Sequence, residues 1–446
     1  MTADFPHAAV FPPGSRVNGR GHLEVGGCDT VELAERFGTP LYVYNEDALQ
    51  KLCREFRSQF ESRYPRSRVV YAGKAFLGLA LIRLLDEEGL GLDVVSGGEL
   101  ALALAAGFPP ENIFFHGNNK SRAEIEEGIV AGVGYVVIDN LPEINLVSRA
   151  AELSSARQKV LIRVSPDVDP KTHKKTTTGK LDTKFGLPVA TGQAAEAVQC
   201  VLAEPSLELI GYHFHLGSPI FQTQPYIDAL SVLADFSAGV RDETGFVPTL
   251  VSPGGGFAIR YTDSDNPPSV ASYAEAIVDA LQKNWARHDL PMPALTIEPG
   301  RSIVGPAAIA LYVVGAIKEI PGVRTYVSVD GGMADNIRPA LYESRYEAIL
   351  ANRPTEAAVN TYAVAGKYCE SGDILIENAD LPAPQAADVL AIPASGAYGL
   401  AMASNYNSSS RPAVVFVSAG KARLVRRRET YEDLLSVEAD LPAGEI

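Results

Sequence analysis

The sequence predicts two domains: a (β/α)8 TIM barrel over residues 46–305 and an all-β domain, a β-barrel or sandwich, built from residues 306–446 together with 1–45. Three observations carry this reading. Short apolar runs recur at 68–74, 91–95, 112–116, 135–138, 160–164, 209–214, 248–252 and 294–298. Helical patterns separate them, at Leu77–Glu88, Gly98–Ala106, Arg122–Ala131, Glu143–Leu153, Gln193–Leu202, Tyr226–Thr244 and Tyr273–Trp285. Eight buried strands alternating with helices over roughly 250 residues are the signature of a closed parallel barrel. A doubly wound open sheet is the rival, but it has no reason to stop at eight. After Val304 the rhythm changes to strand-like runs at 309–317, 325–330, 361–368, 388–393, 413–418 and 422–427, most with no long helix between them.

Taken in order, residues 1–25 are rich in Pro and Gly and carry little pattern. Thr30 to Phe37 reads as a short helix with Thr30 as N-cap, stopped at Gly38-Thr39-Pro40. Leu41 to Tyr44 is a strand, and Glu46 to Ser62 an amphipathic helix with a Leu49/Leu52/Phe56/Phe60 stripe. The first barrel strand, Arg68-Val69-Val70-Tyr71-Ala72-Gly73-Lys74, is filled with β-branched and aromatic residues and ends on a lysine. Gly73 marks a close backbone approach. Lys171–Lys180, basic and Thr-rich, reads as a solvated loop in preference to an active-site lid. Ser418-Ala419-Gly420-Lys421 reads as a hairpin turn.

Composition narrows the function. With 446 residues, 46% of them hydrophobic, the chain can bury one large core and a second one. A net charge of -15 disfavours a nucleic-acid partner, which selects for a basic face. No run approaches the roughly 18 consecutive apolar residues of a membrane span. No signal peptide is evident, and the cysteines Cys28, Cys53, Cys200 and Cys369 are scattered without metal-ligand spacing, so a cytoplasmic protein without a metal is expected.

In such a barrel the chemistry gathers at the C-terminal ends of the strands. Those ends carry Lys74; Asp93 and Ser96; His116; Asp139; Arg163; His213 and His215; Gly254-Gly255-Gly256; and Glu298 with Arg301. Each has an ordinary reading alone: a lysine at a strand tip is usually a solvated cap, a histidine often a satisfied core group. Together they are too polar and convergent for caps. Partial desolvation at a strand tip would lower the pKa of Lys74 and suit it to Schiff-base chemistry. Three glycines after the seventh strand allow backbone amides near an anion, with Ser218 and Arg301 as further phosphate contacts. A buried Glu298 needs a partner, and a protonated ring nitrogen would serve. Amine, phosphate cradle, ring-facing carboxylate and flat imidazole together describe a pocket for pyridoxal 5'-phosphate. The β domain adds Asp330-Gly331-Gly332-Met333 leading to Arg338 and Tyr342, then Cys369-Glu370-Ser371-Gly372-Asp373, then Gly396-Ala397-Tyr398. Cys369, beside a carboxylate in a Gly-bracketed turn, is unlike a buried structural thiol.

These motifs are ordered as in one family. On Tyr71-Ala72-Gly73-Lys74-Ala75, Asp93-Val94-Val95-Ser96-Gly97-Gly98-Glu99, Gly117-Asn118-Asn119-Lys120-Ser121, Lys184-Phe185-Gly186-Leu187, His213-Phe214-His215-Leu216-Gly217-Ser218, Glu298-Pro299-Gly300-Arg301, Cys369-Glu370-Ser371-Gly372-Asp373 and Gly396-Ala397-Tyr398, the chain resembles the diaminopimelate decarboxylases from about residue 30 onward. These belong to the alanine-racemase-like, fold type III class of pyridoxal-phosphate enzymes. The resemblance implies that Lys74 carries the cofactor, His215 stacks on its ring and Glu298 pairs with its nitrogen. Ser218, Gly254, Gly255, Gly256, Gly300 and Arg301 would lie at or near the phosphate. It implies further that Arg301, Arg338 and Tyr342 bind the far carboxylate of meso-diaminopimelate, that Glu370 meets its far ammonium, and that Tyr398 lies near cofactor and substrate. Cys369 would return a proton after carbon dioxide leaves, giving L-lysine. In the family Cys369 and Glu370 reach the site of the partner subunit, which implies a homodimer. Departures from the family are Gly73 and Phe76 around the lysine, Ser252-Pro253 before the triple glycine, and Ala365-Gly366-Lys367-Tyr368 before Cys369.

Three rivals stand beside this reading. A same-fold decarboxylase of arginine, ornithine or carboxynorspermidine would leave Arg338 unpaired. A silent cofactor-binding regulator would lack the lysine or the cysteine. A racemase would lack the Cys369 motif.

Overall fold

The computed structural model describes residues 5–170, 177–179 and 182–439. They divide into two compact units. One comprises the described residues of Gln50–Ile259 and of Asn266–Ile303; the other, those up to Leu49, Arg260–Asp265, and those from Val304 on.

The first unit is a closed parallel barrel. Its strands are β1 (Ser67–Ala72), β2 (Gly91–Val94), β3 (Ile113–Phe115), β4 (Tyr135–Ile138), β5 (Gln158–Ser165), β6 (Leu207–His213), β7 (Leu250–Ser252) and β8 (Ala294–Ile297). Each pairs in parallel with the next, and β8 pairs with β1 to close the ring, Thr296 opposite Arg68. Val70, Phe114, Val137, Leu161 and Ile210, from five different strands, form one buried cluster. Side-chain caps start several helices: Ser96 accepts from Glu99 N, Ser121 makes a full capping box with Glu124, and Asn140 accepts from Glu143 N. Each cap directly follows a strand end or its loop, so it also fixes where that end stops.

The second unit is built on a nine-stranded sheet. Its long strand, Ala308–Ile320, shifts register between Val314 and Ile317. Its first part, up to Val313, pairs with Leu41–Asn45 and Val389–Ile392; from Val314 on, across the shift, it pairs with Arg324–Val329. One strand thereby serves two parts of the sheet. Leu41, Val43, Ile309, Leu311, Ala391 and Val415 belong to its core. The hairpin Ala413–Ser418 to Lys421–Arg426 turns on Ala419 and Gly420, both at positive φ (47° and 76°), as a two-residue turn requires.

Three expectations are corrected. The first barrel strand ends at Ala72, and Lys74 sits in a 3-10 turn, Gly73–Ala75, with an exposed side chain between two buried neighbours. A Cβ on Gly73 would lie 2.7 Å from the Asp93 carbonyl, so the turn packs against β2 and its lysine points out of that contact. The N-cap of Thr30–Phe37 is Asp29, which accepts from Val31 N and Glu32 N; the Thr30 hydroxyl donates to the Leu23 carbonyl instead. The strand Ile374–Leu381 was not foreseen. Of Lys171–Lys180, only Thr177–Gly179 is described: Thr177 bridges Gly217, and Thr178 Oγ1 donates to the His215 carbonyl at 2.7 Å. The loop-or-lid question lies outside the described residues.

Candidate active site

At the C-terminal ends of the barrel strands, buried titratable groups converge. Glu298, just past β8, accepts from Ser252 Oγ at 2.8 Å and His213 Nε2 at 3.0 Å. His116 Nε2 lies 3.6 Å from the same carboxylate and 3.9 Å from Asp93. The His116 and His213 rings meet edge to face, 4.7 Å between centroids. Burial alone would raise the Glu298 carboxyl, but the two imidazoles and the hydrogen bonds from His213 and Ser252 outweigh it and hold it below the usual carboxylate range. Asp93 goes the other way. Burial first, then the Glu298 charge, push it well above its ordinary value, with the Lys74 ammonium as the main offset. Burial keeps His116 and His215 well below their ordinary values, hence neutral at pH 7. Lys74 acts on Asp93, Glu99, His213 and His215, which puts its ammonium in the field of this cluster. Asp93 Oδ1, His116 Nε2 and His213 Nδ1 are buried with no hydrogen-bond partner among the described residues.

The triple glycine also has a packing reason. Its Gly254 amide donates to Ser252 Oγ at 3.2 Å and its Gly255 amide to His215 Nδ1 at 3.3 Å. A Cβ on Gly255 would lie 2.0 Å from the Glu298 carbonyl, and one on Gly256 2.3 Å from the Gly217 carbonyl. Glycine is required because the ends of β6, β7 and β8 converge there. Gly300 likewise packs against Ala72 and Ala75, on either side of the Lys74 turn. With Nδ1 accepting, the neutral His215 ring carries its proton on Nε2. Arg301 Nε donates to Ser218 Oγ at 3.0 Å, joining the guanidinium and the hydroxyl in one polar pair. Arg163 reaches toward Asp139 (3.5 Å) and lies over the Phe185 ring (4.5 Å). Behind them Lys120 Nζ is buried against Gly117 O, Val137 O and Glu143 Oε1.

The second unit holds the remaining predicted residues. Arg338 opens the short helix Arg338–Tyr342 and is buried at 4% exposure, while Tyr342 is half-buried. Its guanidinium lies over the Tyr261 ring at 4.5 Å and donates to the Tyr346 hydroxyl. Tyr398, at φ 59°, also acts on its charge. Cys369 and Glu370 are exposed on a separate turn. That turn is held by Asp373, which accepts from Met333 N (2.6 Å) and Tyr368 N (2.8 Å), and by Asn407, which accepts from Cys369 N at 2.9 Å. Ser252, Tyr261 and Tyr346 escaped the sequence reading. Ser252 sat in view as a family departure beside the glycines; the two tyrosines gave no local signal.

Residues 47–305 match the family model for the pyridoxal binding domain of pyridoxal-dependent decarboxylases. The chain is 49% identical over 428 residues to a diaminopimelate decarboxylase of Bacillus subtilis, covering 96% of this chain and 97% of that one. It is 48% identical to that of Halalkalibacterium halodurans, with the same coverage. Among solved structures, the diaminopimelate decarboxylase of M. jannaschii in complex with L-lysine superposes with a TM-score of 0.90 at 36% identity, over 97% of this chain and 99% of that one. The Helicobacter pylori enzyme, also with L-lysine, gives 0.84 at 31% identity, over 92% of this chain and 99% of that one. By these likenesses over nearly its whole length, this chain belongs to the diaminopimelate decarboxylase family.

Proposed function

We propose that this protein decarboxylates meso-2,6-diaminopimelate to L-lysine and carbon dioxide with pyridoxal 5'-phosphate, as a cytoplasmic homodimer. One observation supports the choice of substrate above the others. Arg338 is a buried guanidinium whose Nε has no hydrogen-bond partner among the described residues, and the groups acting on its charge are tyrosines. A buried cation is costly unless paired. A second carboxylate on the substrate is the missing anion, and arginine and ornithine do not carry one.

The donor set of the barrel end fits the cofactor. An amine, a neutral imidazole with a fixed tautomer, an ionised buried carboxylate and a guanidinium–hydroxyl pair match an aldehyde, a ring face, a protonated ring nitrogen and a phosphate. When bound, pyridoxal phosphate supplies the carbonyl that takes the substrate amine and the ring that accepts the electron pair released with carbon dioxide. Lys74 would hold the cofactor at its aldehyde. Glu298, kept ionised by Ser252 and His213, holds the ring nitrogen protonated. His215 fixes the ring plane. Arg301 and Ser218 would hold the phosphate, with Gly254, Gly255, Gly256 and Gly300 as the other residues proposed for the cofactor. Arg338 and Tyr342, with Arg301, bind the far carboxylate, Glu370 the far ammonium, and Tyr398 lies beside them. The Cys369 thiol gives the proton that completes L-lysine. Cys369 and Glu370 serve the site of the partner subunit.

The test is a substrate panel. Carbon dioxide release from meso-diaminopimelate, with lysine as product, is the expected result; release from arginine or ornithine instead would overturn the assignment.

A further inference from the structure

Arg338 is held in an unusual way for a buried cation. The turn Arg260–Asp265 lies between β7 and the next barrel helix in sequence, yet it packs with the sheet unit. Asp265 Oδ2 staples it by accepting from Tyr261 N and Thr262 N, both at 2.9 Å. Asp263 ties it to His7 Nδ1 at 2.6 Å and, through its own amide, to Glu347 at 3.2 Å. This anchoring brings Tyr261 edge to face with Tyr346, 5.4 Å between centroids at 87°. The two rings make an aromatic shelf on which the Arg338 guanidinium rests, 4.5 Å from one centroid and 5.5 Å from the other. The Tyr346 hydroxyl accepts from Arg338 and meets the Asn336 side chain.

The chemistry of this shelf matters. A carboxylate in place of either phenol would stabilise the guanidinium and also neutralise it. Ring faces and a phenol oxygen offset the desolvation of the cation while leaving its charge whole. Burial raises the Tyr346 phenol more than the guanidinium lowers it, so the phenol stays neutral. Nε has no hydrogen-bond partner among the described residues, which leaves it open to an incoming oxygen.

We infer that Tyr261 and Tyr346 are positioning residues that set selectivity for a substrate with a second carboxylate, by holding the Arg338 guanidinium aimed and uncompensated. This rests on the reading above that Arg338 binds that carboxylate.

The experiment uses holoenzyme and two competitive inhibitors of diaminopimelate decarboxylation. One is 2-aminopimelate, with two carboxylates; the other is 2-aminoheptanoate, the same chain lacking the far one. The ratio of their inhibition constants reads the Arg338 contact directly. In Y346F and Y261L the preference for 2-aminopimelate should shrink about tenfold each, with the 2-aminoheptanoate constant and the visible cofactor band unchanged. Y261F, which keeps the ring, should retain the preference, and Y346E should abolish it. R338Q separates the two claims. If R338Q erases the preference while Y346F and Y261L retain it, the inference about the tyrosines is overturned. If R338Q itself retains the preference, the reading of Arg338 falls and the inference with it. If Y261L does not fold, Y346F decides alone, since it removes one oxygen and keeps the packing.

Discussion

His213 Nε2 and Glu298 Oε2 lie 3.0 Å apart, and both side chains are closed to solvent. Ser252 Oγ completes the arrangement on the other carboxylate oxygen. Two donors aimed at one carboxyl require two acceptor oxygens. A glutamine offers one oxygen and an NH2 group that would face a donor. Glu298→Gln should therefore lose charge and geometry together. The expected fall in kcat is about 10²–10³-fold, as for other preorganised electrostatic groups, with a shifted visible absorption band in the holoenzyme. Steady-state rates and the absorption spectrum check it.

Lys120 and Glu143 form a buried ion pair at 2.7 Å behind the same strand ends. Burial lowers the ammonium and raises the carboxyl, and their pairing offsets both effects. Lys120→Met would strand the carboxylate, a loss of about 3–5 kcal/mol, seen as a drop in Tm on the order of 10 °C. Lys120→Met with Glu143→Leu should melt closer to the natural protein, short of full recovery because Asp139 N also donates to Glu143. A double mutant melting below the single one would refute this account.

Asp335 gives a pH dependence of a particular sign. Burial raises its carboxyl to about 7, against hydrogen bonds from Tyr312 and Gly332 that lower it. The folded chain therefore binds a proton between about pH 4 and 7 that the unfolded chain releases. That stability is fully present below the unfolded pKa and is lost as pH rises through the folded one. Asp335→Asn mimics the protonated acid. Its Tm should decline less than that of the natural protein between pH 4 and 7 and run parallel above. Parallel curves across the whole window would refute the assignment.

The proposed shared site predicts complementation. Neither Lys74→Ala nor Cys369→Ala homodimers should retain an intact site. Random mixing makes half the dimers hybrid, each with one of two sites whole, so roughly a quarter of full activity should return. No recovery in dimers shown to be hybrid would place Cys369 in the site of its own chain.

The barrel was legible because burial on both faces turns its strands into unbroken apolar runs, and because its polar residues stand at the strand ends. Val70, Val137 and Leu161 fall inside those runs, and the polar strand ends read as a site only jointly, since His213 alone reads equally well as a core histidine. What was not legible depended on tertiary approach. Ser252 meets Glu298 across 46 residues, and nothing local distinguishes it from a turn serine. Tyr261 and Tyr346 matter only through Arg338. The strand Ile374–Leu381 carries Glu377, Asn378 and Asp380 within its run, which breaks the alternation that marks a strand. Asp29 and Thr30 are both capping residues, and only the direction of each side chain decides between them. Lys74 was expected at a desolvated tip, yet the tight approach of Gly73 to β2 ends the strand two residues earlier and leaves the lysine exposed.

Neither unit is a contiguous stretch of chain, and it is the excursion Arg260–Asp265 that splits the barrel. The sheet unit draws on three separate segments, the middle one enclosed within the barrel's own sequence. A barrel cut out at residues 46–305 would take Tyr261 with it and leave Arg338 resting on a single ring. Splicing the sheet unit at its outer boundaries would likewise part Arg338 from this chain's own Tyr261. Recombination at those two junctions alone is therefore disfavoured, and this six-residue turn must be inherited, or engineered, together with a helix some seventy positions away in the chain.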